Sequence, residues 1–254
     1  MAKVKGIVTL VGTIDGVNFY LRKGVPTARS AGGGFTAKNI KTKASMASVR
    51  RNNSEFGEVV KVNKLIKTSL YSVLLKHKEG TLHARMMSVL LQIKKLDLTS
   101  TWGERTVWNG LKLTEGKQLF LDFEFMPTPV MRLLCDGFPT VSFMGAFCSF
   151  EGITISRPAF ATTATHIKID YFVVDYNPTP PTYKRYEAAS CLLALEHLPP
   201  TLPNFEVLDL PPTFDFRMCY VSVQFCQEMH GIMEILKGDG MGELKCLDVL
   251  SCEL

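Results

Sequence analysis

The chain has 254 residues, of which 46% are apolar and 21% are charged, so it can bury a sizeable core and is not disordered as a whole. Its formal net charge of +5 is unevenly distributed, because residues 1–127 carry 21 basic and 9 acidic side chains whereas residues 128–254 carry 8 and 15. No stretch approaches the roughly eighteen unbroken apolar residues that a membrane helix needs. We therefore expect a cytoplasmic protein without membrane contacts.

The first predicted element is a β-hairpin. Residues 4–11 and 17–22 have the composition of strands, and the Asp15-Gly16 pair between them suits the positive φ angles of a tight turn. Residues 24–53 then contain few large apolar side chains among many Gly, Ser, Thr, Ala, Asn and Lys residues. This composition predicts a flexible, basic, glycine-rich arm.

The arm contains A-G-G-G-F-T-A-K-N, which matches the dinucleotide-binding string G-x-G-x-x-A at Gly32, Gly34 and Ala37. That fingerprint requires a buried strand before it, whereas P-T-A-R-S precedes it here. A phosphate-binding Walker A loop requires a glycine before its lysine and a Ser or Thr after it, whereas Lys38 lies between Ala37 and Asn39. The sequence therefore predicts no cofactor and no small-molecule substrate.

Two amphipathic helices are predicted after the arm. Apolar residues recur at helical spacing over residues 54–78, with Asn52 as the predicted N-cap. The same spacing continues over residues 82–96, with Thr81 as the predicted cap. Because the link at Gly80 is short, we expect the two helices to form an antiparallel helical hairpin.

Beyond Trp108 the sequence is typical of strands. Residues 118–125, Q-L-F-L-D-F-E-F, and residues 165–176 alternate apolar and polar side chains. Further candidate strands lie at 140–143, 152–155, 186–195, 205–208, 217–226, 232–236 and 244–249. We therefore predict an α+β fold, with a hairpin, arm and helical hairpin in residues 1–110 and an antiparallel, jelly-roll-like β-sandwich in residues 111–254.

The sequence contains no recognisable catalytic or metal-binding motif. None of the five histidines lies in H-E-x-x-H or near a G-x-S-x-G nucleophile elbow. The seven cysteines lack a C-x-x-C pair, so we expect reduced, buried thiols. The conceivable zinc ligands Cys226, His230, Cys246 and Cys252 lack the close-spaced pairs of structural zinc sites. We predict a non-enzymatic protein without a metal.

The string G-I-V-T-L-V-G-T-I-D-G-V-N-F-Y-L-R-K-G is followed by a basic segment and by R-R-N-N-S-E-F-G-E-V-V-K-V-N-K-L-I-K. This combination resembles the opening of a family of uncharacterised bacterial proteins, in which a G-x-hydrophobic-G hairpin leads to Y-x-R and then to a basic E-F-G helix. The resemblance covers roughly residues 1–75. It implies that hairpin, arm and helix form a recurring unit, and it implies no activity.

Basic residues concentrate in the arm and the first helix, where residues 20–78 hold 13 of them. We predict that ten of these bind an acidic partner: Arg22, Lys23, Arg29, Lys38, Lys41, Lys43, Arg50, Arg51, Lys61 and Lys64. The favoured partner is the acidic half of the next copy, in a structural protein that assembles head-to-tail into a filament, tube or phage-like particle. The alternative is a protein that binds nucleic acid without sequence specificity.

Overall fold

The structure is a computed structural model that describes residues 2–3, 10–32, 36–76, 80–156 and 163–252. The α+β class is confirmed, with 32% helix, 34% strand and antiparallel sheets. Contacts divide the chain into two compact units, residues 1–54 and residues 55–254. We call them the N-terminal unit and the C-terminal unit.

The N-terminal unit contains a four-stranded antiparallel sheet in the order β1-β4-β3-β2. Its strands are Ala2–Lys3 (β1), Gly12–Ile14 (β2), Val17–Arg22 (β3) and Val25–Ser30 (β4). The predicted hairpin turn is confirmed, since Asp15 and Gly16 have φ angles of 44° and 72° between β2 and β3. The predicted first strand, residues 4–11, lies mostly outside the described residues.

The prediction of a flexible arm at residues 24–53 is wrong for most of its length. A second turn at Lys23-Gly24 leads into β4, which pairs with β3. Helix α1 (Ala37–Thr42), one 3-10 turn (Ala44–Met46) and the start of helix α2 (Ala47–Ser69) follow. In the glycine run, Gly33 and Gly34 lie outside the described residues.

Local hydrogen bonds organise this segment, although none of its described apolar side chains is buried. The Oγ1 atom of Thr36 accepts a hydrogen bond from the amide of Asn39 and so caps α1. The Nη1 atom of Arg50 donates to the carbonyl oxygens of Ile40 and Lys43, at 2.7 and 2.9 Å. These contacts satisfy backbone groups at the end of α1, which composition alone does not reveal.

The two predicted amphipathic helices are confirmed with changed boundaries. Helix α2 starts seven residues before Ser54, so Asn52 lies inside the helix and is not its cap. The side chain of Thr81 does not cap the following helix either. The remaining helices are Tyr71–Leu74 (α3), Leu82–Lys95 (α4), Val107–Leu111 (α5), Thr114–Leu121 (α6) and Val130–Leu134 (α7).

The predicted strand at residues 118–125 is wrong, because most of it belongs to α6 or to the turn after it. Alternating apolar residues predicted the strand. However, Phe120 at the end of α6 and Phe123 and Phe125 directly after it are close enough in sequence to lie on the same side of the molecule. All three rings are buried in the same core cluster. Tertiary burial overrides the local pattern here.

One curled antiparallel sheet dominates the C-terminal unit. Its two long strands, β7 and β11, pair with each other, and each pairs with two further strands on its outer edge. Its strands are His166–Pro178 (β7), Pro181–Glu187 (β8), Cys191–Ala194 (β9), Phe216–Met229 (β11), Ile232–Ile235 (β12) and Gly242–Ser251 (β13). A smaller sheet contains Thr140–Ser142 (β5), Phe147–Ser149 (β6) and Phe205–Glu206 (β10).

The two faces of the large sheet bury different clusters, because side chains alternate along each strand. Phe172, Val174 and Tyr220 face a cluster that includes the helices, whereas Tyr171 and Val221 face a second cluster with α7 and the small sheet. Helices therefore cover one face where a sandwich would place another sheet, and a β-sandwich is not confirmed. The candidate strand at 152–155 forms only isolated bridges.

Among the described residues, no helix combines the length and the apolarity that crossing a membrane requires.

The packing of α4 against α5 predicts the effect of one methyl group. A Cβ atom at Gly110 would lie 2.1 Å from the carbonyl oxygen of Ile93, so we expect Gly110→Ala to lower the free energy of unfolding by about 1–3 kcal/mol. A Cβ atom at Gly57 in α2 would have no atom within 4 Å, so Gly57→Ala should raise the free energy of unfolding by about 0.5–1 kcal/mol. Urea denaturation measures the change in the free energy of unfolding for both variants, and equal changes would contradict the close packing of α4 on α5.

Candidate functional site

The described part of the N-terminal sheet has no hydrophobic core of its own. Of the described residues 10–32 and 36–54, Thr27 alone is buried. Five large apolar side chains in this sheet or directly before β2 are exposed: Leu10, Val11, Ile14, Leu21 and Val25. A small sheet whose apolar side chains stay in water gains little from the hydrophobic effect, so this surface is a candidate for binding another surface.

Eight of the ten predicted site residues are exposed in the same unit. Arg22 and Arg29 lie on β3 and β4 and Lys23 lies in the turn between them, with the guanidinium of Arg29 5.6 Å from the ring of Tyr20. The others lie on α1, in the turn after it or at the start of α2: Lys38, Lys41, Lys43, Arg50 and Arg51. Residues 1–54 hold ten basic side chains against one acidic side chain, Asp15.

The remaining two predicted residues, Lys61 and Lys64, belong to the C-terminal unit. Both are exposed on α2. The structure therefore groups eight of the ten predicted residues in one unit and places two in the other.

A buried carboxylate on α2 holds the helices of the C-terminal unit together. Glu55 is 2% exposed, and its oxygens accept hydrogen bonds from the guanidinium of Arg105 at 2.7 and 2.9 Å and from the amide of Gly103 at 2.8 Å. The ammonium of Lys94 pairs with the same carboxylate. Burial alone would raise the pKa of Glu55, but the hydrogen bonds from Arg105, Lys94 and Gly103 lower it to about 2.

A second buried carboxylate, Asp97, shapes the loop that follows α4. It accepts hydrogen bonds from the amides of Ser100 and Thr106 at 3.0 and 2.9 Å and from the side chain of Asn109 at 3.1 Å. Burial opposes the charge, but these bonds lower the pKa of Asp97 well below its usual value. Sequence periodicity does not reveal either carboxylate, since both interact with residues on other elements.

The ion pair between Arg217 and Asp175 lies on the opposite face of the large sheet. Arg217 is fully buried, and its Nε and Nη2 atoms donate to the Asp175 carboxylate at 2.6 and 2.8 Å. Its Nη1 and Nη2 atoms also donate to the carbonyl oxygens of Met144 and Pro211, at 3.0 and 2.7 Å. One signal in the sequence points to this pair, because a charged residue inside the apolar strand F-R-M-C-Y-V needs a partner.

A cavity of about 770 Å³ opens beside this ion pair. Aromatic residues line much of it, among them Trp108, Tyr176, Tyr183 and Phe216. Its size would suit a small organic molecule. However, Arg217 already neutralises the Asp175 carboxylate at the edge of the cavity, and among the described residues none of the buried polar atoms without a partner lines the cavity. The cavity therefore does not indicate which ligand it would take.

The helix-facing side of the large sheet becomes polar towards one end. There the ammonium of Lys76 donates to Gln224 Oε1 at 3.2 Å, and Lys168 pairs with Asp170. Within the described part of the chain, the buried Gln224 Nε2 and Ser222 Oγ atoms have no hydrogen-bond partner. An ordered water is the usual partner of such atoms.

The cysteines have free thiols, and all but Cys252 are at least partly buried. Burial raises the pKa of Cys135 to about 11 and of Cys148 and Cys219 to about 12, so these thiols are protonated and unreactive at neutral pH. In the part of the chain that the structure describes, no three His, Cys, Asp or Glu side chains are grouped as metal ligands.

Comparison with protein-family models, with curated proteins and with solved structures finds no match to this chain.

The Glu55 cluster predicts a strong, pH-dependent effect on stability. Glu55→Gln leaves Lys94 buried and Arg105 half-buried without their shared counterion, so we expect the free energy of unfolding at pH 7 to fall by about 3–5 kcal/mol. Because the pKa of Glu55 is lowered in the folded state, its stabilisation is present above pH 4.5 and is lost as the pH falls towards 2. The difference between wild type and variant should therefore shrink over that range.

Urea denaturation at a series of pH values measures this difference. Glu115→Gln, at an exposed carboxylate of α6, is the control and should change stability by no more than about 0.5 kcal/mol. A Glu55→Gln variant as stable as this control would show that the cluster does not hold the helices together.

Proposed function

We propose that the protein is a non-enzymatic structural subunit that self-assembles head-to-tail, with the N-terminal unit of one copy binding the C-terminal unit of the next. The observation that carries this proposal is the exposure of the N-terminal sheet, in which Thr27 alone of the described residues is buried. Sheets of this size require an apolar surface against which to pack. A second copy of the chain supplies such a surface.

Charge supports the choice of a second copy as the partner. The N-terminal unit carries ten basic and one acidic residue, whereas residues 55–254 carry 19 basic and 23 acidic residues. Opposite charge on two different surfaces of one chain favours a heterologous contact, in which surface A of each copy meets surface B of the next. Such contacts form a ring when the rotation closes and a filament or tube when it does not.

A second candidate function is binding to nucleic acid without sequence specificity. The eight basic residues of the N-terminal unit are exposed, as are Lys61 and Lys64 on α2, and this favours contact with phosphates. Against it, the exposed apolar side chains of the N-terminal sheet have no role in phosphate binding. We therefore rank self-assembly first.

Self-assembly predicts large species at low salt that dissociate as salt screens the charges. The triple variant Arg22→Glu, Lys38→Glu and Lys41→Glu should be monomeric under conditions in which the wild type assembles. Its control, Lys112→Glu, Lys184→Glu and Lys237→Glu, changes the net charge equally at exposed sites of the C-terminal unit and should still assemble. Sedimentation velocity measures all three proteins.

A wild type that stays monomeric at every salt concentration would contradict self-assembly. Equal loss of assembly in the two triple variants would contradict a specific role for the N-terminal unit, since net charge alone would then explain the result.

Nucleic-acid binding makes a different prediction with the same variants. If it is the function, wild type should shift random-sequence DNA in a gel, with an affinity that falls steeply as salt rises, because bound phosphates release counterions. The N-terminal triple variant should lose this binding, and the C-terminal triple variant should keep it. The absence of a shift at low salt would exclude this candidate.

A further inference from the structure

A short strained turn carries exposed apolar side chains on the C-terminal unit. Phe143 and Met144 have left-handed backbone conformations, with φ angles of 50° and 55°, and Gly145 follows with 92°. For bulky residues this region costs roughly 1–2 kcal/mol each, so it persists only where the surroundings impose it. Burial does not explain the cost, since the two side chains are 78% and 57% exposed.

Hydrogen bonds from three directions fix the backbone of this turn. The hydroxyl of Tyr171 donates to the carbonyl of Gly145 at 2.7 Å, and the buried guanidinium of Arg217 donates to that of Met144 at 3.0 Å. The amide of Val207 donates to the carbonyl of Ala146 at 2.8 Å. A Cβ atom at Gly145 would also lie 2.7 Å from Cys219 Sγ, so the turn packs closely on the sheet. Its exposed side chains are therefore held in position in advance of any contact.

The segment after β10 lies beside the turn, since the amide of Val207 donates to the carbonyl of Ala146. Leu208 is 71% exposed, and the carboxylates of Glu206 and Asp209 on either side of it are exposed as well. An apolar centre with a charged rim is the usual composition of a protein–protein interface. We call Phe143, Met144, Glu206, Leu208 and Asp209 the turn surface.

The charge of this region matches one surface of the same chain. Of the five residues of the turn surface, Glu206 and Asp209 are acidic and none is a lysine or arginine. The N-terminal unit has the opposite composition, and it also exposes apolar side chains on its sheet. A polyanion such as nucleic acid would be repelled by Glu206 and Asp209.

We propose that the turn surface is the docking site for the N-terminal unit of a second copy of this chain. The inference rests on the proposed self-assembly and names the receiving surface, which neither composition nor net charge identifies. The strain of the turn then has a role, because it presents Phe143 and Met144 as rigid apolar contacts at the centre of the interface.

The double variant Phe143→Asn and Met144→Asn tests this surface in the full chain. Asparagine tolerates the left-handed conformation, so the variant removes the apolar side chains without disturbing the turn. The midpoint temperature of thermal unfolding should be unchanged or slightly higher than that of wild type. In sedimentation velocity, the protein concentration at which half of the chains are assembled should be at least about tenfold higher than for wild type.

A matched control uses Met229→Asn and Ile232→Asn at the hairpin between β11 and β12. These side chains are 46% and 65% exposed. Met229 lies twelve residues along β11 from Arg217, which corresponds to about 40 Å of strand. This control variant should assemble like wild type.

Mixing separates this proposal from a general loss of assembly. The triple variant Arg22→Glu, Lys38→Glu and Lys41→Glu keeps an intact turn surface, whereas the Phe143→Asn, Met144→Asn variant keeps an intact N-terminal unit. At a protein concentration at which wild type assembles and the Asn double variant does not, each variant should be monomeric alone, and their mixture should form heterodimers that grow no further, because only one productive contact is possible. If the two variants carry different tags, a cross-linked species that contains both tags is the heterodimer.

The possible outcomes distinguish the docking site from self-assembly itself. If wild type assembles and the Asn double variant assembles at the same protein concentration, the turn surface is not the docking site, although self-assembly stands. Failure of the mixed variants to form a heterodimer would also exclude the turn surface as the docking site. A wild type that remains monomeric at low salt overturns both proposals.

Discussion

The ion pair between Arg217 and Asp175 is the interaction on which the strand-rich side of the C-terminal unit depends. The two residues face each other across the central strands β11 and β7, and Arg217 is fully buried. Removing a guanidinium from water is costly, and it is tolerated here because two carboxylate oxygens and two backbone carbonyls accept its hydrogen bonds. One side chain thus connects the large sheet, the strained turn at Met144 and the loop at Pro211.

The helical side of the same unit is held by polar contacts of the same kind. Glu55 joins α2 to Lys94 at the end of α4 and to Arg105 in the next loop, while Asp97 fixes the backbone of that loop. Trp108 then lies against the sheet, with its ring centroid 4.8 Å from that of Phe216. The C-terminal unit therefore has two buried apolar clusters, and its buried Glu55 and Arg217 are both paired with opposite charges. The described part of the N-terminal unit has neither, and this contrast is the main support for the proposal that this unit binds a partner.

The elements with a long, regular period are predictable from the sequence, and those with local or mixed signals are not. Helix α4 repeats apolar residues at helical spacing, β7 begins with alternating apolar and polar residues, and β11 is a long, mostly apolar run rich in aromatic residues and valine, so the type of each follows from its sequence pattern. The region of Phe120 to Phe125 satisfies a strand pattern and folds as a helix and turn because its three rings share one core. The segment at 37–46 lacks buried apolar residues and is ordered by hydrogen bonds from Thr36 and Arg50, which composition does not show.

The sequence by itself determined the α+β class and the concentration of basic residues in the first half of the chain, with 13 of them over residues 20–78, because charge and period are properties of the chain read in order. Eight of the ten basic residues predicted as a binding surface do lie together in one unit. Only the tertiary structure decided that helices cover one face of the large sheet, that Glu55 and Asp175 are paired carboxylates, and that Phe143 and Met144 form a fixed exposed turn. Each of these depends on contacts between residues 30 or more positions apart, and such contacts leave no local periodicity in the sequence.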